Sequence, residues 1–405
     1  MRIKLVTFAP HPNYGTCLQG YALNYILKKL GHDVEFIYNR REERPKDPLR
    51  SIKRIFRKCF GKPKPIMDKK EPYIISLPNH PFLNILRHFY GYNIYIRWKY
   101  YRDRQRQKVY KFTFLDDNFK MRRIYTLKEY SKVEQEADLF VTGSDQIWNP
   151  YCGGYNPMMF LEFVHHKPCV AYASSISLPE IPVSVQERIK NTLSKFKHIG
   201  VREYHSVDLL NTLLGRNDVK QVVDPTYLLT AEEWADFGKR AEIEFEVPEK
   251  FIFCYFVGSS RRDVYQEMVE KVKEFTGIED VITLDCYTGK YNYGGGRIYK
   301  DSGPYEWVNL LQRASYVCMD SFHATVFAMK FRKEFVHALK NKDEEIGAQN
   351  TRMYDLLNRY GLTYKLYNGK DGIEWHKTVD YDQLEPVMNK EIEDSIGFLK
   401  RELGD

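Results

Sequence analysis

Tyr316-Val317-Cys318-Met319-Asp320-Ser321-Phe322-His323-Ala324-Thr325-Val326-Phe327-Ala328-Met329 runs from a short apolar stretch, through a polar break, into a second apolar stretch. The first part reads as a buried strand and the last as a helix, joined by a tight turn. Asp320 or Ser321 is placed to cap that helix, and His323 falls in its first turn. A helix start offers unpaired N–H groups to an anion, and a histidine beside it can hold and move a proton. The same residues also describe a capped, buried helix with a histidine packed in its loop.

The strand–turn–helix alternation repeats outward from this stretch. Residues 3–8 read as a strand, followed by a loop that holds Pro10, Pro12, Asn13 and Gly15. Leu18, Ala22, Tyr25, Ile26 and Leu30 carry helical spacing, Gly31 stops the helix, and residues 34–38 form the next strand. This βαβ unit turns its ligand-facing loop to the end of the first strand. It has no G-x-G-x-x-G, so a dinucleotide fingerprint is excluded. Further strands are predicted at 137–142, ending at Gly143-Ser144-Asp145; at 169–173; at 198–201, leading into Arg202-Glu203; and at 221–223, ending at Asp224-Pro225. Beyond a Glu-rich run at 241–250 that contains Pro248, strands at 251–257 and 281–284 and helices at 263–275 and near 307–311 lead into the quoted stretch. Gly294-Gly295-Gly296-Arg297 reads as an anion-binding loop or a hairpin. The predicted fold class is α/β: two Rossmann-like domains facing a cleft. Residues 1–240 form the first domain, with an insertion at about 40–115. Residues 247–375 form the second, and 376–405 a C-terminal helical segment.

At 405 residues the chain exceeds what one core usually holds. Its net charge of +8 is uneven. Between Arg40 and Lys111 there are about 21 Lys or Arg against about 6 Asp or Glu, a local excess of about +15. Ile52, Ile55, Phe56, Ile94, Tyr95, Ile96, Trp98 and Tyr100 interleave with those cations. This composition fits a solvated insertion, an anionic membrane surface or an anionic lipid-linked substrate. No nucleic-acid-binding module accompanies it, so nucleic acid is not expected as a partner. The seven cysteines are dispersed without a C-x-x-C pair, which suggests reduced thiols and no structural metal. The N-terminus lacks the pattern of a signal peptide, and no run of 18 apolar residues occurs. The expected location is cytoplasmic, with peripheral association at the inner face of the membrane as a corollary of the basic insertion.

Several segments in order resemble the polysaccharide pyruvyl transferase family. They are Asn13-Tyr14-Gly15-Thr16-Cys17-Leu18-Gln19-Gly20-Tyr21-Ala22-Leu23, Gly143-Ser144-Asp145-Gln146-Ile147-Trp148-Asn149-Pro150, Gly200-Val201-Arg202-Glu203, Val223-Asp224-Pro225-Thr226, Asp320-Ser321-Phe322-His323-Ala324-Thr325 and Asn350-Thr351-Arg352-Met353. The resemblance implies a GT-B-like fold, phosphoenolpyruvate as donor substrate, no further cofactor, and a sugar acceptor in a surface polysaccharide or its lipid-linked precursor. The implied product is a pyruvate ketal, with phosphate released. One departure stands out: where members often carry Arg-Leu-His, this chain has Ser321-Phe322-His323. Arg352, Arg261, Arg262 and Arg297 are the candidates to supply the missing cation.

Such chemistry needs an acid, cations for phosphate and carboxylate, and a base for the sugar hydroxyls. His323 is the expected acid. Arg202, just beyond an apolar strand, suits an anion clamp because its fork matches carboxylate or phosphate. Asp145 is the expected base or sugar hydrogen-bond acceptor. Donor binding is expected at Ser321, Asp320 and Arg352 on the second domain. Acceptor binding is expected at Asn13, Gly15, Gln19, Ser144 and Trp148 on the first, with Tyr151 as a further stacking candidate. Two other readings share the fold: a glycosyltransferase using a nucleotide sugar, and a catalytically silent sugar-binding relative.

Overall fold

The computed structural model describes residues 1–8, 13–39, 72, 74, 114, 118–124, 126–152, 154–258, 260–284, 291–299, 302–343, 345, 348–367 and 373–403. The basic stretch from Arg40 to Lys111, and the expectations placed on it, therefore fall almost entirely outside the described residues.

Two parallel sheets carry the fold. The first holds β1 (Arg2–Val6), β2 (Asp33–Asn39), β3 (Met121–Ile124), β4 (Leu139–Thr142), β5 (Cys169–Ser174), β6 (His198–Val201) and β7 (Lys220–Gln221), in the order β3-β2-β1-β4-β5-β6-β7. The second holds β8 (Ile252–Tyr255), β9 (Val281–Leu284), β10 (Arg297–Tyr299), β11 (Tyr316–Met319), β12 (Glu334–Ala338) and β13 (Leu366–Tyr367), in the order β10-β9-β8-β11-β12-β13. The central strands β4, β8 and β11 are buried at every position, as parallel strands covered on both faces must be. The quoted stretch is thus the middle of the second sheet.

Parallel pairing requires crossovers, and helices supply them. They are α1 (Tyr14–Lys29), α2 (Leu127–Glu136), α3 (Val183–Leu193), α4 (Tyr204–Leu214), α5 (Ala231–Gly238), α6 (Arg262–Thr276), α7 (Pro304–Arg313), α8 (Phe322–Lys330), α9 (Thr351–Arg359) and α10 (Tyr381–Leu403). Capping fixes where several of them begin. Asn13 caps α1, Ser321 caps α8, and the pairs Thr126/Glu129 and Thr230/Glu233 form capping boxes on α2 and α5. The Gly294–Arg297 run is not a hairpin. It is a tight turn that enters β10, which pairs parallel to β9, and parallel neighbours cannot be joined by a hairpin turn. Among the described residues no helix is long and apolar enough to cross a membrane.

The strand order reverses once in each sheet, between β1 and β4 and between β8 and β11. Loops leaving adjacent strands there diverge to opposite faces and open a crevice. An apolar seam turns the two crevices toward each other. Tyr14 of α1 packs 5.6 Å from Tyr255 and 6.3 Å from Trp307 between ring centroids, and its hydroxyl meets Ser302 Oγ at 2.6 Å. Trp234 of α5 lies 4.7 Å from Phe327 of α8. The last helix then bridges the halves. Near its start Asp382 pairs with Arg332 of the second half at 2.7 Å. Toward its end Ser395 Oγ accepts from the Val223 N–H at 3.0 Å, and Phe398 packs against Tyr172 of β5.

Candidate active site

Because the two switch points face each other, five loops converge on one cavity of about 360 Å³. From the first half come Asn13 and Thr16 at the start of α1, and Asp145, Gln146, Tyr151 and Cys152 after β4. From the second come Val257 after β8, the Asp320–His323 turn after β11, Lys340 after β12, and Gln349 and Arg352 at the start of α9. Its size and its polar lining suit a small anionic ligand. The N-termini of α1 and α8 both open onto it, so two helix dipoles add positive potential to Lys340 and Arg352.

His323 is 4% exposed and lies in the first turn of α8. Its ring packs directly on Gly15: a Cβ built there would fall 2.4 Å from Nδ1 and 2.5 Å from Cγ. Gly15 is therefore a spacer that lets α1 and α8 approach, rather than a ligand-binding group in its own right. Ser321 caps α8 through Oγ, which accepts from the Ala324 N–H at 3.4 Å. Asp320 lies at the cavity wall with its carboxylate already engaged. It accepts from the N–H groups of Val257 and Gly258 at 2.6 Å each, and from the Tyr265 hydroxyl at 2.8 Å. Burial outweighs these donors and raises its pKa. This geometry makes Asp320 the tie between the ends of β8 and β11.

A charged layer lies just behind the cavity. Arg202 is 2% exposed, beneath the Phe322 ring at 4.1 Å. Its Nε donates to Glu203 at 3.1 Å, its Nη1 donates to Asp224 at 3.1 Å, and Asp145 lies 3.9 Å from Nη1. Burial by itself would lower the Arg202 pKa, but Glu203, Asp224 and Asp145 together raise it. The fork expected to clamp a donor is thus filled by protein carboxylates. Asp224 in turn accepts from Ser144 Oγ at 2.8 Å and lies 3.5 Å from His323 Nε2. Burial would raise the pKa of Asp224, but His323 and Arg202 hold it well below the usual carboxylate range. Asp145 follows the same balance, with burial opposed by His323, Arg202 and Arg352, and its pKa is lowered. It accepts from Thr16 Oγ1 at 2.7 Å and sits at φ +69°, a conformation few non-glycine residues adopt.

Other predicted residues fall away from the cavity. Trp148 is 1% exposed, stacked on Phe160 at 5.8 Å, with its Nε1 donating to the Met159 carbonyl. It is a core side chain of the first domain, whereas Tyr151 lines the cavity together with Phe8 and Phe322. Gln19 is fully buried and joins Thr7, the Thr16 carbonyl and the Ser144 N–H, so Gln19 and Ser144 brace the β4 loop from below. Asn13 stays at the cavity as the α1 cap, accepting from the Thr16 N–H at 3.3 Å. Of the four arginines considered at the Ser321 departure, Arg352 lines the cavity, with its guanidinium beside the Gln146 side-chain amide. Burial, and then the nearby Arg202 charge, lower the Arg352 pKa. Arg262 stacks on Tyr291, Arg297 on Phe245, and Arg261 donates to the Leu339 carbonyl. Sequence reasoning missed Lys340 and Gln349, and quoted Thr16 and Gln146 only within motifs. It quoted Asp224 as a motif residue without giving it a place in the site.

The family model for polysaccharide pyruvyl transferase matches residues 13–343. No curated protein matches the chain. Among solved structures, the UDP-GlcNAc 2-epimerase from Methanocaldococcus jannaschii is 10% identical with a TM-score of 0.49, over 96% of this chain and 92% of that one. The UDP-GlcNAc 2-epimerase from Neisseria meningitidis bound to UDP-GlcNAc is 8% identical with a TM-score of 0.47, over 100% and 99%. MurG from Acinetobacter baumannii is 8% identical with a TM-score of 0.42, over 99% and 100%. The strand orders, not these distant likenesses, define the architecture as two facing α/β domains. The family match extends over most of the chain and takes in five of the six quoted motifs, including the β1, β4 and β11 loops that build the cavity: this chain belongs to the polysaccharide pyruvyl transferase family and is a transferase with two α/β halves.

Proposed function

We propose that the protein transfers the enolpyruvyl-derived group of phosphoenolpyruvate onto two hydroxyls of a sugar in a surface polysaccharide or its lipid-linked precursor. The carrying observation is the convergence of His323, Arg352, Lys340 and the N-termini of α1 and α8 on one cavity in a member of this family. Phosphate and carboxylate need cations and N–H donors, and this wall of the cavity supplies both. In this reading the second domain holds the donor and the first holds the acceptor.

Protonation at C3 of the donor by His323 makes C2 electrophilic. A sugar hydroxyl adds to C2 and gives up its proton. The C2–O bond to phosphate breaks, the leaving phosphate takes up one hydroxyl proton, and a second hydroxyl closes the ketal as the other proton returns to the His323 imidazole. One enolpyruvyl phosphate and two hydroxyls become one ketal and one phosphate. Arg352 and Lys340 replace the arginine that is absent at Ser321. Arg202 then acts from behind the cavity, by holding the carboxylates in place. Asp145, with its lowered pKa, is a weak base, so it serves better as the acceptor of a hydroxyl hydrogen bond than as the final proton sink. The enzyme is expected at the cytoplasmic face of the membrane, where lipid-linked sugars are held.

The test is incubation with phosphoenolpyruvate and lipid-linked oligosaccharides, with phosphate release and acceptor mass measured together. Stoichiometric phosphate and a pyruvyl mass on the acceptor are expected, with loss of about 10²-fold or more in His323→Gln. Phosphate release without a gain in acceptor mass, or equal turnover in the variant, contradicts the reading.

A further inference from the structure

We infer that Asp224 is the positioning residue of this site, a buried carboxylate that holds His323 and Arg202 in one fixed arrangement. It rests on the proposed role of His323 as acid. Asp224 follows β7 on the first domain, whereas His323 begins α8 on the second, so their contact couples the two halves at the reacting centre. Asp224 is fully buried and makes contacts through both oxygens. Oδ1 accepts from the Thr226 N–H at 3.0 Å and from Thr226 Oγ1 at 2.8 Å. Oδ2 faces Arg202 Nη1 at 3.1 Å, Ser144 Oγ at 2.8 Å and His323 Nε2 at 3.5 Å. One oxygen anchors the carboxylate to its own loop, and the other gathers the catalytic histidine, the buried arginine and the β4 loop.

Chemistry follows from that placement. An imidazolium carries two N–H groups. Asp224 lies on the Nε2 side of the ring, so the carboxylate fixes which way the imidazole is turned. A fixed anion beside the ring stabilises its protonated form, which is the form an acid needs. The charged groups interacting with the ring are Asp224 after β7 and Asp145 after β4, with Arg202 after β6 behind Asp224, and α1 presents the uncharged Gly15. Arg202 shares Asp224 with His323, so it tempers the carboxylate without touching the substrate.

Asp224→Asn keeps the shape and removes the charge. In steady-state assays it should lower kcat by about 10²-fold or more while changing the donor KM less, and it should move the alkaline limb of the kcat/KM profile to lower pH. A purely structural role would lower the folded fraction and leave that limb in place. The histidine ring resonances of isotope-labelled enzyme, with the His323 signal assigned by its absence in His323→Gln, give a second readout that needs no substrate. The His323 ring-nitrogen shifts should change in Asp224→Asn, because the carboxylate facing Nε2 loses its charge. If Asp224→Asn does not fold, Thr226→Val removes one donor to the carboxylate and should change the same shifts while the other histidine signals stay in place. Ring shifts and pH limb unchanged from wild type overturn the inference. Changed ring shifts in an enzyme that does not use phosphoenolpyruvate would retain the coupling and discard phosphoenolpyruvate as the donor.

Discussion

Gly15 has no room for a single added methyl group. The Cβ of Gly15→Ala would lie 2.4 to 2.6 Å from three atoms of His323, so the ring or the whole start of α8 must move. Alanine would gain up to about 1 kcal/mol of helix propensity over glycine in α1. Overpacking costs about 1–3 kcal/mol, so the net effect should be destabilising. Chemical denaturation should show a lower midpoint, and turnover should fall with the displaced imidazole. Unchanged stability and turnover would mean that α1 and α8 do not meet as described. A second residue governs acid stability. His337 is fully buried beside Thr325, and burial, then the Arg352 charge, push its pKa down to about 3. Above the unfolded value, near 6.5, neither state binds the proton, so the residue is neutral to stability there. As pH falls below that, the unfolded chain takes up a proton that the folded one refuses, and stability drops until about pH 3. At pH 5 the loss is about 2 kcal/mol. His337→Gln should narrow the gap in unfolding free energy between pH 7 and pH 5, and an identical gap in both proteins would contradict this. Asp224 and Asp145 do not confuse that window, because lowered carboxylate pKa values cost stability only at still lower pH.

Elements were legible in the sequence where local chemistry decides them. Ser321 before an apolar run marked α8, the spacing of Leu18, Ala22, Ile26 and Leu30 marked α1, and short apolar runs marked β4 and β11. Loops at strand ends followed from the same pattern, which is why Asn13, Asp145, Ser321 and His323 were placed near a common face. What a side chain does once there was less legible. A tryptophan that stacks on a sugar and one that stacks on Phe160 look the same in a sequence, and Trp148 is the second kind. Arg202 read as an anion clamp from its place at a strand end, because Asp224, some twenty residues on, was not visible as its partner. Lys340 joins the site only because β12 lies next to β11, a pairing no local pattern announces. The cap itself is testable. Ser321→Ala removes the hydroxyl that accepts from Ala324, and should cost about 1 kcal/mol of unfolding free energy. It should also weaken donor use, since the helix start would fray at the cavity. Full retention of both would show that the α8 N-terminus is held by packing alone.

At the scale of the molecule, the cavity exists because two reversals of strand order face each other across an apolar seam, with α10 tying both halves. The basic stretch between Arg40 and Lys111 belongs to this scale, because its effect is one of summed charge. Each cation near an anionic surface contributes about 1 kcal/mol, screened by salt. Co-sedimentation with anionic liposomes is expected at low salt and not at high salt, with little binding to neutral ones. Equal and negligible binding to both would leave the stretch as a solvated insertion. The cavity itself is tested most directly by an experimental structure of the enzyme with phosphoenolpyruvate. The ligand should lie between the starts of α1 and α8, its phosphate and carboxylate in contact with Arg352 and Lys340 and its C3 within reach of His323. Phosphoenolpyruvate bound elsewhere, or in this cavity with C3 turned away from His323, would contradict the account.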